Sequence, residues 1–353
     1  MKKLILLLCL YAGALQAQSV DSLISAGIKL HDAGDYEAAI DTYKKALAMD
    51  SKSFLIYYEI GFSYSALNNH QEALKYAELS LSFATQQSRL HPLILKGSAL
   101  DDLGRTAESV AFYKESLKEF PTHYLLLFNY AISLSRLGNY TEAEQILIQA
   151  LSHNFNHPGS HLQLAKINLE KNHKSKAALG LYFFLMLENT SARAEENIPV
   201  LINLLYGNKK TSDDNKTIFL TVPDPKTDPE WASADLFFSI LGIASGQIDQ
   251  ALRDKGAAQS EQQRFVADTE KFFKTLGELR DKRKKPKKKK AEQAFSIWWD
   301  NYVPFFSELV KQNHTEAFCY HIMAAANSTE VNEWLMNKEE KLSYFYLWAN
   351  SNR

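Results

Sequence analysis

Apolar and polar positions along the first half of the chain follow a helical rhythm that repeats. The first stretch has apolar or small residues at positions 23, 26, 27 and 30, a spacing that places them on one face of a helix. A turn signal follows at Gly34-Asp35-Tyr36, and the helical spacing then resumes at Ala39, Tyr43, Ala46 and Leu47. The pattern therefore predicts a pair of helices joined by a short turn.

This helix pair recurs along the chain about every 34 residues. The small residue of the first helix returns at Gly27, Gly61, Gly97, Ala131 and Ala165, and that of the second helix follows twelve positions later at Ala39, Ala73, Ser109, Ala143 and Ala177. Small residues at these places let the two helices approach closely, while Tyr36 and Tyr43 fill the space around them. Because a single pair leaves one apolar side uncovered, the units are expected to stack into an array.

These residues resemble the tetratricopeptide repeat family. The stretch Gly34-Asp35-Tyr36-x-x-Ala39-x-x-x-Tyr43-x-x-Ala46-Leu47 fits the family pattern nearly throughout, as do Gly104 to Leu117 and Gly138 to Leu151. The second unit is recognisable and the fifth is degenerate. The resemblance covers roughly residues 20–191. It implies an all-α fold, a right-handed superhelical array of helix-turn-helix repeats followed by a helical C-terminal region.

The resemblance also implies a binding surface. In this family the first helices line a concave groove, at the second, fifth, ninth, twelfth and thirteenth repeat positions. Carried onto this chain, the candidate protein-binding residues are mostly apolar or aromatic: Ile24, Ile28, Tyr58, Phe62, Ile94, Phe128, Asn129, Ile132 and Leu162. The lysines and asparagines of a chaperone-binding carboxylate clamp are largely missing, so that mode is disfavoured. An apolar groove suits an amphipathic helix or an extended apolar segment, unless the chain's own C-terminal helices fill it.

The N-terminus has the features of a cleavable secretory signal. A short basic region at Met1-Lys2-Lys3 precedes an apolar stretch too short to span a bilayer, and small residues offer a cleavage site after Ala17. The rest of the chain has no comparable apolar segment. We therefore expect a periplasmic or secreted protein of a Gram-negative bacterium. Removal of residues 1–17 takes the formal charge from −1 to −3, since Lys2 and Lys3 leave, and Cys319 becomes the sole cysteine.

The chain after residue 191 matches no family pattern. Residues 192–229 predict one helix and a proline-containing linker, with a short extended piece within 217–222. Residues 230–353 predict helices, with a long polar helix from Gly246 to about Leu279 and a basic loop at 280–290. This region could add a degenerate repeat, cap the array, fill the groove or form a separate domain. Its aromatic residues, which include all five tryptophans, are typical of a core, with an exposed patch as the alternative.

The chemistry-bearing motifs favour binding over catalysis. No nucleophile elbow, zinc-protease motif, phosphate-binding loop or Cys-x-x-Cys pair occurs, so we expect no enzyme activity, metal or cofactor. The leading interpretation is an exported scaffold or adaptor that binds a protein partner in the groove. The alternative is an envelope- or glycan-binding protein that uses the C-terminal aromatics and an anionic contact through Arg283, Lys284, Lys285, Lys287, Lys288, Lys289 and Lys290. Nucleic acid is not expected, because no aromatics alternate with these charges.

Overall fold

The computed structural model describes residues 19–207, 210–211, 218–219, 228–253, 257, 259–283 and 295–352. The predicted signal at 1–17 and the lysines at 284–290 lie outside these ranges. The chain divides into two compact units between Asn139 and Tyr140. This division falls within the predicted repeats, whereas the sequence pattern changes only after residue 191.

Unit 1 consists of helices that alternate between 13 and 14 residues. They are α1 (Val20–Asp32), α2 (Tyr36–Met49), α3 (Phe54–Ala66), α4 (His70–Phe83), α5 (Leu90–Asp102), α6 (Thr106–Glu119) and α7 (Tyr124–Arg136), with a 3₁₀ turn at Gln86–Ser88. Asp35, Ser53 and Asn69 accept a hydrogen bond from the first turn of α2, α3 and α4, which satisfies one of the free amides there. The predicted helix pairs are therefore present.

The turn inside each repeat is built on one left-handed residue. These residues lie two positions after the first helix ends and two before the second begins, at Gly34, Asn68, Gly104, Gly138 and Asn172. Glycine and asparagine are the residues that adopt this conformation most readily. The sequence pattern singled out the three glycines and missed the two asparagines.

Unit 2 contains the remaining helices and one small sheet. The helices are α8 (Tyr140–His153), α9 (Pro158–Glu170), α10 (Lys174–Leu187), α11 (Ala192–Tyr206), α12 (Ala232–Arg253), α13 (Glu261–Lys282), α14 (Val303–Lys311), α15 (Thr315–Ile322), α16 (Thr329–Asn337) and α17 (Glu339–Asn352). A π-helical turn at Trp298–Tyr302 leads into α14, and a 3₁₀ turn at Ala324–Ala326 follows α15. Strands β1 (Lys210–Thr211) and β2 (Ile218–Phe219) pair antiparallel, Lys210 opposite Phe219.

The long helix expected from Gly246 to Leu279 is wrong. Helix α12 continues through Gly246 to Arg253, and α13 begins only at Glu261, where Ser260 and Gln263 form a capping box. A single glycine costs a helix only about 1 kcal/mol, which packing of α12 against α10, α11 and α13 outweighs. Both helices have 22 residues, so they do not reproduce the repeat length.

Helix α10 is the centre of unit 2. Every residue from Lys174 to Met186 is buried, and the helix contacts α9, α11, α12 and α15. Tyr182 packs against Phe265, Phe273, Phe306 and Phe318, while Phe183 packs against Tyr302, Phe305 and Phe306. The aromatic C-terminal segment therefore completes a core around the second helix of the fifth repeat.

The hairpin of α14 and α15 reuses the repeat turn. Asn313 is left-handed at the equivalent place, and the backbone hydrogen bonds around it follow the register seen at Gly34. The two positions that are small in the repeats are here Phe306 and Phe318, whose ring centroids are 5.7 Å apart. A repeat-like turn thus joins helices that are held apart by large side chains.

Among the residues that the structure describes, no helix combines the length and apolar character needed to cross a bilayer.

Candidate functional site

The first helices of unit 1 form one face of that unit. Consecutive first helices, α1, α3, α5 and α7, contact one another more extensively than the second helices α2, α4 and α6 do. We call the outward surface of α1, α3, α5 and α7 the first-helix face.

A row of aromatic rings crosses the first-helix face. His31 on α1 stacks on Phe62 of α3 with ring centroids 4.7 Å apart, and Phe62 stacks on Tyr58 at 5.8 Å. Tyr58 then meets His91 of α5 at 5.8 Å. These four residues, His31, Phe62, Tyr58 and His91, are the ring row. Stacking across three helices fixes the rings in place while Phe62 stays 42% exposed.

The other predicted groove residues divide by their burial. Ile28 is 38% exposed, and Ile94, Phe128 and Ile132 are half-buried on α5 and α7. Asn129 is half-buried, and its amide donates to the Leu125 carbonyl at 2.8 Å. The amide of Asn129 is therefore held by its own helix.

Two predicted groove residues are wrong. Ile24 belongs to the core between α1, α2 and α3, because the fifth repeat position of α1 turns inward. Leu162 is only 5% exposed and lies in unit 2, on a helix that packs against α8 and α10. Both side chains are therefore largely withdrawn from any partner in the folded state.

A depression of about 360 Å³ adjoins the ring row between α3 and α5. Its lining is apolar apart from one carboxylate, one imidazole and two hydroxyls: Phe54, Leu55, Tyr58, Glu59, Ser88, His91 and Pro92. Burial, and then the charge of Glu59, raise the pKa of Tyr58 to about 12. Tyr58 therefore remains a neutral ring with a hydroxyl at neutral pH.

Comparison with known proteins gives the repeats their family. The description TPR repeat matches residues 27–68, and two descriptions as tetratricopeptide repeat match residues 55–86 and 102–167. The chain is a tetratricopeptide repeat protein. No curated protein matches it.

Several solved structures are similar to the repeat part. The thermophilic TPR protein TTC0263 of Thermus thermophilus is 19% identical, with a TM-score of 0.43 over 53% of this chain and 95% of that one. YrrB, described as a TPR protein with an unusual peptide-binding site, is 18% identical, with a TM-score of 0.36 over 49% and 88%. PilW, described as a type IV pilus biogenesis factor, is 20% identical, with a TM-score of 0.43 over 52% and 90%.

The predicted anionic contact is described at one residue. Arg283 of this tetratricopeptide repeat protein pairs with Glu230 and lies over the ring of Trp299, 4.8 Å from its centroid. Trp299 in turn stacks on Trp231 at 4.3 Å. Arg283 is therefore engaged within unit 2, which argues against its use as a contact for a polyanion.

The C-terminal aromatics are mostly core, as the helical spacing indicated. Trp231, Trp298, Trp299, Tyr302, Phe306 and Phe318 are buried. Lys176 of α10 lies over Trp231 and Trp298 and pairs with Asp228 at 2.5 Å. The exposed aromatics of this segment are Phe295, Tyr344 and Tyr346.

Two buried histidines, His161 and His321, and the buried Cys319 have structural environments. Nε2 of His161 donates to the Phe155 carbonyl at 2.6 Å, so Nδ1 accepts from the Tyr302 hydroxyl. Nε2 of His321 likewise donates to the Met186 carbonyl at 3.0 Å. Burial raises the pKa of the Cys319 thiol far above its usual range, and the described residues contain no cluster suited to a metal ion.

The sequence did not identify three residues of the site, His31, Glu59 and His91. His91 and His31 stand at the second and twelfth repeat positions, which the family pattern names as groove positions but which were not carried over. Glu59 stands at the sixth position of its helix, for which the pattern gives no role. Only the packing of α3 against α5 reveals it.

Proposed function

We propose that this protein is a non-enzymatic scaffold that holds a segment of another protein on the first-helix face of unit 1. The ring row carries this proposal. Its rings are preorganised by stacking on one another, and the apolar surface of Phe62 and Ile28 remains open to solvent. A preorganised aromatic surface binds at a low entropic cost, and an amphipathic helix or extended apolar segment matches its character.

The proposed mechanism is burial of apolar side chains against the ring row. Exposed apolar area contributes about 25 cal/mol per Å² when it is covered, and aromatic residues dominate such interfaces. Both ring nitrogens of His161 and of His321 take part in internal hydrogen bonds, which fits a structural role for these two buried histidines.

We further propose that the protein acts outside the cytoplasm. This part rests on the basic and apolar pattern of residues 1–17. N-terminal sequencing of the protein from its native host tests it. Gln18 is expected as the first residue, and an intact Met1 or Lys2 would contradict export through cleavage.

Capture of a partner tests the scaffold function. The tagged protein is crosslinked in its native envelope, and captured proteins are identified by mass spectrometry for the wild type, Tyr58→Ala and Phe62→Ala. Phe83→Ala is the matched control, because Phe83 is 38% exposed and stacks on Tyr57 at 5.5 Å, but lies at the end of the second helix α4.

We expect the wild type and Phe83→Ala to capture one protein. Tyr58→Ala and Phe62→Ala should both fail to capture it. Circular dichroism should show unchanged helicity in all three variants. Equal capture by every variant would reject the first-helix face as the binding surface.

A further inference from the structure

Glu59 is a half-buried carboxylate that lacks a cationic partner within the described part of the chain. It lines the depression beside the ring row, and its one hydrogen bond comes from the Tyr43 hydroxyl at 3.4 Å. Three other acidic side chains of unit 1 pair with a cation: Glu78 with Lys96, Glu119 with Arg89, and Asp101 with Arg136. Glu59 differs from these three acids in that it is partly desolvated and has no cationic partner among the described residues.

The electrostatics around Glu59 favour the arrival of a positive charge. Burial raises the pKa of Glu59, the Tyr43 hydroxyl opposes this rise, and the negative charge of Asp32 adds to it. The groups that face Glu59 are Asp32 from α1, Tyr43 from α2, Tyr58 on its own helix and His91 from α5. None of these is a lysine or an arginine, and an opposite charge close by would stabilise the ionised carboxylate.

The shape and walls of the depression fit a long basic side chain. Phe54, Leu55 and Pro92 supply apolar surface for the methylene stem, which lysine and arginine bury readily. The ring of Tyr58 can lie against the cationic head, since aromatic faces attract cations within about 6 Å. An arginine side chain is smaller than the available volume of about 360 Å³.

We propose that the depression lined by Glu59, Tyr58 and His91 receives a lysine or arginine side chain of the bound segment. The inference rests on the proposed function, since the ring row would hold the apolar residues of the same segment. The two subsites together define the ligand as an apolar segment that carries a basic residue. This chemistry is opposite to that of a carboxylate clamp, in which the protein supplies the cations.

A peptide selection tests this inference on the full-length protein. A displayed library of random twelve-residue peptides is selected on the wild type, Glu59→Gln, Phe62→Ala and Glu37→Gln. Glu37→Gln is the matched control, because Glu37 is an exposed glutamate on the second helix α2. Circular dichroism and thermal unfolding confirm that each variant is folded.

We expect wild-type binders to be enriched in apolar residues together with lysine or arginine. Glu59→Gln should lose the basic enrichment and keep the apolar one, while Glu37→Gln should keep both. Basic enrichment that persists in Glu59→Gln, or is absent in the wild type, would overturn the cation subsite while leaving the groove intact. Binders that are the same for Phe62→Ala and the wild type would overturn the groove, and this inference with it.

A double-substitution measurement then gives the size of the effect. In the tightest selected peptide the basic residue is replaced by citrulline or norleucine, which match arginine and lysine in length without the charge. Fluorescence anisotropy at one fixed pH, so that neighbouring histidines keep one charge state, should show about tenfold weaker binding to the wild type, equal to about 1.4 kcal/mol. Less than a twofold loss is expected for Glu59→Gln, and equal losses for both proteins would overturn the pairing.

Discussion

At the scale of single residues, the repeats couple the size of one side chain to that of another. A Cβ atom built on Gly27 would lie 2.3 Å from the Tyr43 ring, and one on Gly97 would lie 2.2 Å from the Tyr113 ring. The fifth repeat has Ala165 and Leu181 at the corresponding positions. In the first and third repeats glycine therefore accompanies tyrosine, and in the fifth alanine accompanies the slimmer leucine.

Substitution of Gly97 tests this coupling. Gly97→Ala should destabilise unit 1 by about 1–3 kcal/mol, because Tyr113 is fully buried and its ring must move. Addition of Tyr113→Leu should recover part of the loss by making room. Recovery stays incomplete, since the Tyr113 hydroxyl donates to the Ile94 carbonyl at 2.9 Å. Urea unfolding measures both, and an unchanged stability of Gly97→Ala would refute the steric argument.

His161 makes the stability of unit 2 depend on pH. Burial lowers the pKa of His161 to about 3, whereas an unfolded histidine titrates near 6.5. The unfolded state therefore binds the proton first, so stability is complete above pH 6.5 and is lost progressively as the pH falls towards 3. Between pH 7.5 and 5 this residue should account for a loss of about 2 kcal/mol.

The pH dependence can be assigned by comparing slopes. His161→Gln should reduce the loss of stability on acidification, whatever its effect at pH 7.5, in urea unfolding followed at both pH values. His157, His173 and His314 also have lowered pKa values through burial, so some dependence will remain. An identical slope in wild type and variant would show that His161 is not the group responsible.

At the scale of elements, α10 carries the core of unit 2. Phe183 meets Phe155, His161, Tyr302 and Phe305, and Phe183→Ala should cost about 3–5 kcal/mol because the cavity cannot be refilled. Phe83→Ala, which removes a partly exposed ring, should cost less than about 1 kcal/mol. Thermal unfolding of both variants checks this, and similar losses would contradict the central role of α10.

Helix pairs could be predicted from the sequence where their small residues recur at the spacing of about 34 residues. They could not be predicted where that spacing is lost. Gly27, Ala39 and Tyr43 sufficed to place α1 and α2. The break between α12 and α13 could not be placed, since Gly246 is a weak local signal that tertiary packing overrides. The hairpin of α14 and α15 was equally hidden, because Phe306 and Phe318 replace the small residues by which a repeat is found.

At the scale of the whole molecule, the sequence predicted the apolar and aromatic character of the first-helix face better than it predicted the residues that form this face. Ile28, Tyr58 and Phe62 were expected on the first-helix face and lie there. Leu162 was expected beside them, but its side chain is buried in unit 2. His91 and Glu59 depend on the packing between helices, which no single repeat encodes.

The C-terminal segment should be required by unit 2 alone. Removal of residues 295–353 takes away the rings that cover α10, including Tyr302, Phe305 and Phe306. Hydrogen exchange should then show lost protection in α9 and α10 and retained protection in α1 to α6. Full protection of α10 in the shortened protein would contradict its dependence on this segment.

A photocrosslinking amino acid placed in living cells tests the central claim most directly. p-Benzoylphenylalanine replaces Phe62 in one variant and Phe83 in another, two phenylalanines of similar exposure on first and second helices. We predict that irradiation joins one protein to position 62 and not to position 83. A partner joined equally at both positions, or at 83 alone, would contradict binding on the first-helix face.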